Sequence, residues 1–404
     1  MSYTKITRAA FALLFALAGL LPANAQTYTV LYSFTGGTDG GYPYGGLIRD
    51  SAGNLYGTTG GFVAGGTGTV FRLTPKGRLK TLHSFTGPDG SEPSASLIRD
   101  TAGNFYGTTS RGGASDWGTV FRVKKNGNFK VLYTFTGGAD GGYPSGPLVL
   151  DTAGNLYGVT SYGGDPNCLC GVVFKLDKKG HETVLHTFSS DDGGLWPGGG
   201  LNFDSAGALY GTTASGGDMG CGDPRNIGCG IVFKLDGNGN ETVLHRFRFP
   251  LGDSPEATLL RDGAGNLYGT TSYGGHSQAC LDLGCGIVFK LNSQGGLGVL
   301  HDFTGGADGA IPSFASLIMD AEGNLYGTTI SGGSLGSCDY SVCGVVFKLD
   351  PSHNETVLHT FGPDNPELGL GPEGGVIMDS AGNLYGTTAD GGAFGRGVIF
   401  KITP

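Results

Sequence analysis

The sequence of 404 residues has few charged side chains, with Asp, Glu, Lys and Arg making up only 15% of it. So low a charge content excludes a coiled coil or a basic nucleic-acid-binding tail. After residue 25, no apolar run approaches the 18 residues typical of a membrane helix. No Gly-X-Y triplet repeats, which excludes collagen, and no segment has the apolar periodicity of a long helix. These absences leave an all-β protein as the expectation.

The first 25 residues have the features of a signal peptide. Lys5 and Arg8 precede an apolar segment at residues 11–21, and residues 23–25 (Ala-Asn-Ala) form a small-x-small cleavage pattern. We therefore expect a secreted or periplasmic protein with a mature chain starting near Gln26. An N-terminal anchor helix is the alternative.

The mature chain is acidic. Without Lys5 and Arg8 it has 34 acidic residues against 23 basic ones, a net charge of −11. This charge disfavours nucleic acid and anionic lipid as partners. We therefore expect no nucleic-acid binding and no membrane insertion.

A sequence repeat organises the chain. Each unit spans 50 to 59 residues and contains four short β-type segments separated by Gly, Asn and Asp turns. Four strands per repeat are typical of a propeller blade, so the sequence predicts an all-β, seven-bladed β-propeller. The repeated pattern Asp-x-x-Gly-x-hydrophobic-Tyr-Gly begins at Asp50, Asp100, Asp151, Asp204, Asp262, Asp320 and Asp379.

The two ends of the chain complement each other. Residues 28–34 resemble the fourth strand of the other units, and residues 397–402 resemble the third strand. The N-terminal strand is therefore predicted to complete the last blade and close the ring, which protects the edges that an open stack would expose. We expect one domain over residues 26–404, with an open solenoid as the alternative.

Glycine is abundant, at 80 residues, and its positions follow the repeat. It recurs in the turns, in the Tyr-Gly step of the second strand and before the third strand. We expect it to permit tight turns and positive φ angles at these positions.

Three recurring segments carry a family resemblance: Gly-Asn-Leu-Tyr-Gly-Thr-Thr, Gly-Val-Val-Phe-Lys-Leu and Val-Leu-His-Thr-Phe. They resemble the GloVer-type tandem repeat of secreted bacterial proteins, over essentially all of residues 28–404. The resemblance implies an exported, propeller-like protein. It implies no established activity and supplies no catalytic residues.

The loops of such a ring differ between its two faces. The first-to-second and third-to-fourth strand links are tight turns on one face, and the longer links lie on the other, here called the long-loop face. Functional residues concentrate on long loops held by a rigid scaffold. Aromatic rings stack on sugars and carboxylates accept hydroxyl protons, so we expect the long-loop face to bind an extracellular glycan or surface protein. The predicted ligand-binding residues are Tyr42, Asp116, Trp117, Tyr143, Tyr162, Trp196, Tyr273 and Tyr340.

The Asp-Gly-x-x-Pro loops on this face also have a simpler interpretation. Their Asp side chain would cap a turn and their Pro would fix φ. Calcium bound by carboxylates is a third interpretation, although no loop has the spacing of an EF-hand. We therefore expect no cofactor, with calcium left open, and a monomeric chain.

All eight cysteines lie in the second-to-third strand links of four consecutive units. An even number in an exported chain indicates disulfides, which disfavours zinc bound by reduced thiolates. Pairing within each link is the simplest arrangement, and pairing between neighbouring blades is the alternative. Pairing within the links would join Cys168 to Cys170, Cys221 to Cys229, Cys280 to Cys285 and Cys338 to Cys343.

Most histidines share one position in the fourth strand, and Tyr32 and Tyr133 take that position in other units. Such an exchange indicates a structural side chain with one hydrogen bond. We expect no metal site there, because the ring holds these positions apart. The histidines are His83, His186, His245, His301 and His359.

An active site in a repeat protein should break the repeat. Glu256 and Glu373 do so beside the predicted axis, and His276 with Asp282 does so in one long loop. A carboxylate pair suits general acid–base chemistry on a polysaccharide, as in a lyase or glycoside hydrolase. No nucleophile elbow, phosphate loop or zinc-protease motif is present. We therefore favour a binding or scaffold protein, with a carbohydrate-active enzyme and a cell-envelope interaction module as alternatives.

Overall fold

The protein is described by a computed structural model that covers residues 26–61, 66–189, 193–280, 282–312, 314, 316–333 and 343–404. The predicted signal peptide, residues 1–25, lies outside these ranges. Seven four-stranded antiparallel sheets form the blades of a β-propeller, which confirms the predicted fold. The one helix in the described ranges is a single 3-10 turn at Pro366–Leu368.

The blades follow one another along the chain, except that the first strand, β1 (Thr27–Ser33), belongs to blade 7. Blade 1 contains β2 (Ile48–Arg49), β3 (Leu55–Thr59), β4 (Thr69–Leu73) and β5 (Leu79–Ser84). Blade 2 contains β6 (Ile98–Arg99), β7 (Asn104–Thr109), β8 (Thr119–Lys124) and β9 (Phe129–Thr134). Blade 3 contains β10 (Gly142–Leu150), β11 (Leu156–Tyr162), β12 (Val172–Leu176) and β13 (Glu182–Thr187).

Blade 4 carries an additional two-stranded sheet, made by β14 (Gly194–Leu195) and β17 (Ser215–Gly216). Its four-stranded sheet contains β15 (Asn202–Phe203), β16 (Leu209–Thr213), β18 (Ile231–Leu235) and β19 (Glu241–Arg246). Blade 5 contains β20 (Leu260–Arg261), β21 (Leu267–Thr271), β22 (Ile287–Leu291) and β23 (Leu297–Asp302). Blade 6 contains β24 (Ile318–Met319), β25 (Leu325–Thr329), β26 (Val345–Leu349) and β27 (Glu355–Thr360).

Blade 7 closes the ring with strands from both ends of the chain. It contains β28 (Val376–Met378), β29 (Leu384–Thr388) and β30 (Val398–Thr403), and β1 is its fourth strand. β1 pairs antiparallel with β30, with Thr27 opposite Thr403 and Ser33 opposite Val398. The predicted closure by the N-terminal strand is therefore confirmed.

The core lies between neighbouring blades. A phenylalanine that follows the fourth strand of one blade meets, at an angle, a phenylalanine on the third strand of the next blade, with ring centroids 5.1–5.4 Å apart. Each ring is 0–4% exposed, so the contacts bury large apolar surfaces at every seam. The pairs are Phe34–Phe71, Phe85–Phe121, Phe135–Phe174, Phe188–Phe233, Phe247–Phe289, Phe303–Phe347 and Phe361–Phe400.

The Tyr-Gly step of the second strand has a steric role, and the expectation that its glycine permits a positive φ is wrong. Gly107, for example, is absent from the positive-φ glycines of the described ranges. A Cβ there would lie 2.7 Å from Phe121 Cζ and 2.8 Å from Leu97 Cδ2. The glycine is needed because the phenylalanine ring of the same blade fills the space of a side chain.

Candidate functional site

On the long-loop face, the loop that precedes the first strand of each blade contains a residue followed by Pro. The backbone of that residue joins the blade to its neighbour. In blade 2, the Glu92 N–H donates to Thr67 O of blade 1 at 3.0 Å, and the Ser110 N–H donates to Glu92 O at 3.1 Å. The residue before Pro has a positive φ of 52–64° in every blade, a conformation that non-glycine residues adopt only with strain. These residues are Tyr42, Glu92, Tyr143, Trp196, Ser254, Ile311 and Gly371.

The residues that follow Pro line a central cavity of about 520 Å³. Strand residues nearest the axis, such as Ile318 and Val376, line the same cavity. The cavity is therefore the axial channel of the propeller. Six residues that follow Pro are in its wall: Tyr44, Ser94, Ser145, Gly198, Glu256 and Glu373.

Three glutamates reach this cavity. Glu256 and Glu373, which the sequence places beside the axis, both line it, and Glu92 joins them. Sequence reasoning did not select Glu92 as a site residue. Its place directly before Pro93, where Tyr42 and Tyr143 stand in other repeats, is the sequence feature that identifies it.

The two predicted glutamates hold their protons more strongly than usual. Burial, with a contribution from the Asp390 charge, raises the pKa of Glu373 to about 7. Burial also raises the pKa of Glu256, whose Oε2 accepts a hydrogen bond from the Ser272 hydroxyl at 2.5 Å. Glu373 lies at the end of the channel formed by the residues that follow Pro, here called the channel mouth, and is therefore able to donate a proton near neutral pH.

Asp253, a buried residue close before Glu256 in the chain, forms an ion pair with the partly exposed Arg225. Arg225 Nη2 is 2.6 Å from Asp253 Oδ2, and Arg225 Nε is 2.9 Å from Asp223 Oδ1. Burial raises the pKa of Asp253 to about 6 despite the nearby guanidinium. The Arg225 guanidinium also lies over the Tyr273 ring at 4.9 Å, so Tyr273 packs against a cation of the preceding blade.

An aromatic cluster formed by Trp117, Tyr143 and Tyr162 lies on the long-loop face at the seam of blades 2 and 3. Ring centroids are 4.6 Å apart for Trp117 and Tyr143, and 5.5 Å apart for Tyr143 and Tyr162. The indole lies against the backbones of Gly137 and Gly142, where added Cβ atoms would approach it to 2.3 and 2.6 Å. Tyr162 is 36% exposed, so the cluster is fixed from below and open to ligands at its edge.

Arg111 connects the aromatic cluster to the channel mouth. Its guanidinium lies 5.1 Å from the Tyr143 ring centroid and 3.4 Å from Glu92, which lines the channel. A second, longer contact of 3.9 Å joins it to Asp116. The structure thus brings Asp116 and the three predicted aromatic residues into one site, together with Arg111 and Glu92.

The other predicted residues do not join this cluster. Tyr42 packs under Arg396 at the ring closure, 5.3 Å from its guanidinium. His276 contacts Asp302 at 2.6 Å, whereas the sequence pairs it with Asp282, an exposed residue. Trp196 is the residue before Pro in blade 4, and Tyr340 lies outside the described ranges.

Three disulfides lie within the second-to-third strand links, joining Cys168 to Cys170, Cys221 to Cys229 and Cys280 to Cys285. Cys343 is also disulfide-bonded, and its predicted partner Cys338 lies outside the described ranges. Disulfides form in oxidising compartments, such as the periplasm or the cell exterior. Among the described residues, no helix is long and apolar enough to cross a membrane.

The turn-capping interpretation of the Asp-Gly-x-x-Pro loops is confirmed. Asp39 accepts hydrogen bonds from the Thr35 amide at 2.8 Å and from the Tyr32 hydroxyl at 2.9 Å. Asp140 accepts the equivalent bonds from Thr136 and Tyr133. The carboxylates of these aspartates therefore hold their own loops in place.

The fold and the channel-mouth site define a closed seven-bladed propeller with a recessed acidic cavity. The chain belongs to the Gloeobacter/Verrucomicrobia repeat family, which matches residues 19–224 and 225–404. No curated protein matches the chain.

Solved structures with similar folds are distant in sequence. One is a gluconolactonase from Xanthomonas campestris, with 15% identity over 75% of this chain and 86% of that one, at a TM-score of 0.44. Another is a provisionally assigned 6-phosphogluconolactonase from Bacteroides uniformis, with 14% identity over 84% of this chain and 88% of that one, at a TM-score of 0.47.

Proposed function

We propose that this propeller is a secreted or periplasmic binding protein that recognises an extracellular glycan through the long-loop face. The ligand would contact the aromatic cluster of Trp117, Tyr143 and Tyr162 and extend toward the channel mouth. The amino-terminal signal-like segment and the disulfides support export.

The convergence of the aromatic cluster carries this proposal. Aromatic faces and edges contact the apolar C–H surfaces of a pyranose, while nearby charged groups bond its hydroxyls. Arg111 supplies donors, and Glu92 and Asp116, each within 4 Å of Arg111, supply acceptors. Because Trp117 packs on glycine backbones, little side-chain freedom would be lost when a ligand binds.

Affinity electrophoresis against a panel of neutral and acidic polysaccharides tests the proposal. For a polysaccharide that retards the wild type, Trp117→Ala with Tyr162→Ala should weaken binding about tenfold or more. Tyr273→Phe is the matched control, since its ring still packs on Arg225 away from the cluster. Equal retardation of the double variant and the wild type would contradict the assignment.

A carbohydrate-active enzyme is the second candidate, and the shared cavity of Glu256 and Glu373 favours it. A carboxyl group such as Glu373, with a pKa of about 7, suits a general acid acting on a glycosidic or uronic-acid linkage. New reducing ends or unsaturated products from the same panel would establish turnover, and their loss in Glu373→Gln would place the chemistry at the channel mouth. Binding without any such products would reject this candidate.

Export is tested separately from ligand recognition. Expression of the full chain in a Gram-negative host should give a periplasmic or secreted protein whose first residue is Gln26. The intact mass of the exported protein, allowing for cyclisation of an N-terminal glutamine, identifies the first residue. A cytoplasmic product that retains residues 1–25 would contradict the proposed location.

A further inference from the structure

Three side chains suited to metal binding meet at the rim between blades 5 and 6. His301 lies on β23, Asp308 lies in the loop after it, and Glu355 begins β27 of the next blade. His301 Nε2 is 3.5 Å from Asp308 Oδ2 and 3.9 Å from Glu355 Oε2. One potential ligand atom from each residue lies within 4.8 Å of the others. Their side chains are only 17%, 14% and 12% exposed, in the order named.

Protein hydrogen bonds leave this group incompletely satisfied. His301 Nε2 and Glu355 Oε1 are buried and have no hydrogen-bond partner in the part of the chain that the structure describes. The separations of 3.5 and 3.9 Å exceed the roughly 2.7–3.2 Å of an ordinary N–H···O bond. Buried polar atoms are normally paired, so two unpaired buried atoms on neighbouring side chains call for a ligand.

The separations fit a shared metal ion. Ligands about 2.0 Å from a tetrahedral zinc ion lie about 3.3 Å from one another. Contraction of the observed 3.5 and 3.9 Å, and of the separation between the two carboxylates, which is within 4.8 Å, would reach that spacing. An imidazole nitrogen with two carboxylate oxygens suits a borderline ion such as Zn²⁺, whereas Ca²⁺ prefers six or more oxygens. We propose that His301, Asp308 and Glu355 bind a divalent transition-metal ion of the Zn²⁺ type that joins blades 5 and 6.

Two other seams of the same protein show what distinguishes this one. At the seam of blades 1 and 2, His83 makes a direct 2.8 Å contact with Asp89, and its ring stacks on Phe129. Phe129 begins the fourth strand of blade 2, as Glu355 does in blade 6. That seam therefore lacks the third ligand. The ring separates the histidines, as the sequence indicates, but the carboxylates at the blade 5–6 seam come from the local loop and the neighbouring blade.

The seam of blades 2 and 3 has the two carboxylates without the histidine. Tyr133 occupies the position of His301, and its hydroxyl donates to Asp140 at 3.0 Å. Glu182 begins the fourth strand of blade 3, as Glu355 does in blade 6. This seam is a template for a folded blade junction that lacks the imidazole ligand.

The proposed site lies on the rim, away from the channel mouth, and is independent of glycan binding. Binding of Zn²⁺ to the folded state alone would stabilise the protein by mass action. A metal there would therefore be a structural ion that links two blades, rather than a catalytic one.

Metal binding is tested by isothermal titration of Zn²⁺ into chelator-treated, untagged protein carrying His276→Ala, which removes the exposed His276–Asp302 pair as a competing ligand. We expect one tightly bound ion per chain, a higher melting temperature with Zn²⁺, and no displacement by a hundredfold excess of Ca²⁺ or Mg²⁺. Elemental analysis after gel filtration gives an independent count.

His301→Tyr recreates the Tyr133 seam, so it should fold, lose the bound ion and lose the zinc-dependent rise in melting temperature. Glu355→Gln should weaken Zn²⁺ binding at least tenfold with little change in volume. His83→Tyr, at the seam without a third ligand, should keep the full stoichiometry. Absence of Zn²⁺ binding, or equal binding by the His301→Tyr variant, would overturn the proposal.

Discussion

Gly118 of blade 2 packs directly against the ring of Pro144 of blade 3. A Cβ on Gly118 would lie 2.7 Å from Pro144 Cδ and 2.3 Å from Thr109 O, and the glycine has a φ of 93°. The same contact between a glycine and a proline occurs at every other seam: Gly68–Pro93, Gly171–Pro197, Gly230–Pro255, Gly286–Pro312, Gly344–Pro372 and Gly397–Pro43.

Gly118→Ala should therefore destabilise the protein by about 3 kcal/mol or more, because it adds a backbone clash to a left-handed conformation. The shift in the chemical denaturation midpoint measures this effect. Gly237→Ala is the matched control: its Cβ would meet nothing within 4 Å, so its midpoint should stay close to that of the wild type. Similar midpoints for the two variants would show that the seam tolerates a side chain.

The turns of the opposite face carry a repeated pair of tyrosine and aspartate. The Tyr326 hydroxyl donates to Asp320 Oδ2 at 2.9 Å. Burial is the main cause of a raised pKa of Tyr326, and this hydrogen bond raises the pKa further. Tyr326→Phe should cost about 1–2 kcal/mol, since it removes a hydrogen bond to a charged acceptor. Thermal denaturation measures the loss, and the exposed Tyr162→Phe should show almost none.

The channel glutamates predict a dependence of stability on pH. The pKa of Glu373 rises from an ordinary value of about 4.5 to about 7 in the folded protein. Between these values the folded state keeps a proton that the unfolded state has released, so the contribution of Glu373 to stability falls as pH rises from about 4.5 to 7. Glu373 alone accounts for up to about 3 kcal/mol of this fall.

Glu373→Gln should make the decrease of stability with pH smaller, as measured by denaturation midpoints at pH 4.5, 5.5, 6.5 and 7.5. A residual slope of the same sign should remain, because burial also raises the pKa of Glu182 and Glu355 to about 7. Together they outweigh the opposite contribution of His359, whose pKa burial lowers to about 4. An unchanged slope in the variant would mean that Glu373 is solvated in the folded protein.

The disulfide between Cys221 and Cys229 closes a link of eight residues. Replacing both cysteines with alanine should lower stability by about 2–3 kcal/mol, because the unfolded chain regains the freedom of that link. Both sulfurs also lie in the buried core cluster, which adds to the loss. Denaturation of the variant and of the wild type under non-reducing conditions measures it, and coincident curves would argue against a stabilising role.

The fold could be predicted from the sequence because the same local pattern of strands and turns recurs seven times. Short β segments, turn residues and the complementary ends at β1 and β30 are local features, and ring closure follows from counting them. The placement of the cysteines in four long links was equally visible. The role of Gly107 was not, because the ring of Phe121 reaches it only across paired strands.

The sequence by itself therefore determined the blades, their number, the closure and the face that carries the long loops. Only the tertiary structure decided which unlike residues meet: Arg111 with Glu92 beside the aromatic cluster, and His301 with Glu355 at the rim. The physical reason lies in the seams between blades. Residues there come from different repeats, so their distances depend on how the ring packs its blades, which no local pattern in the chain records.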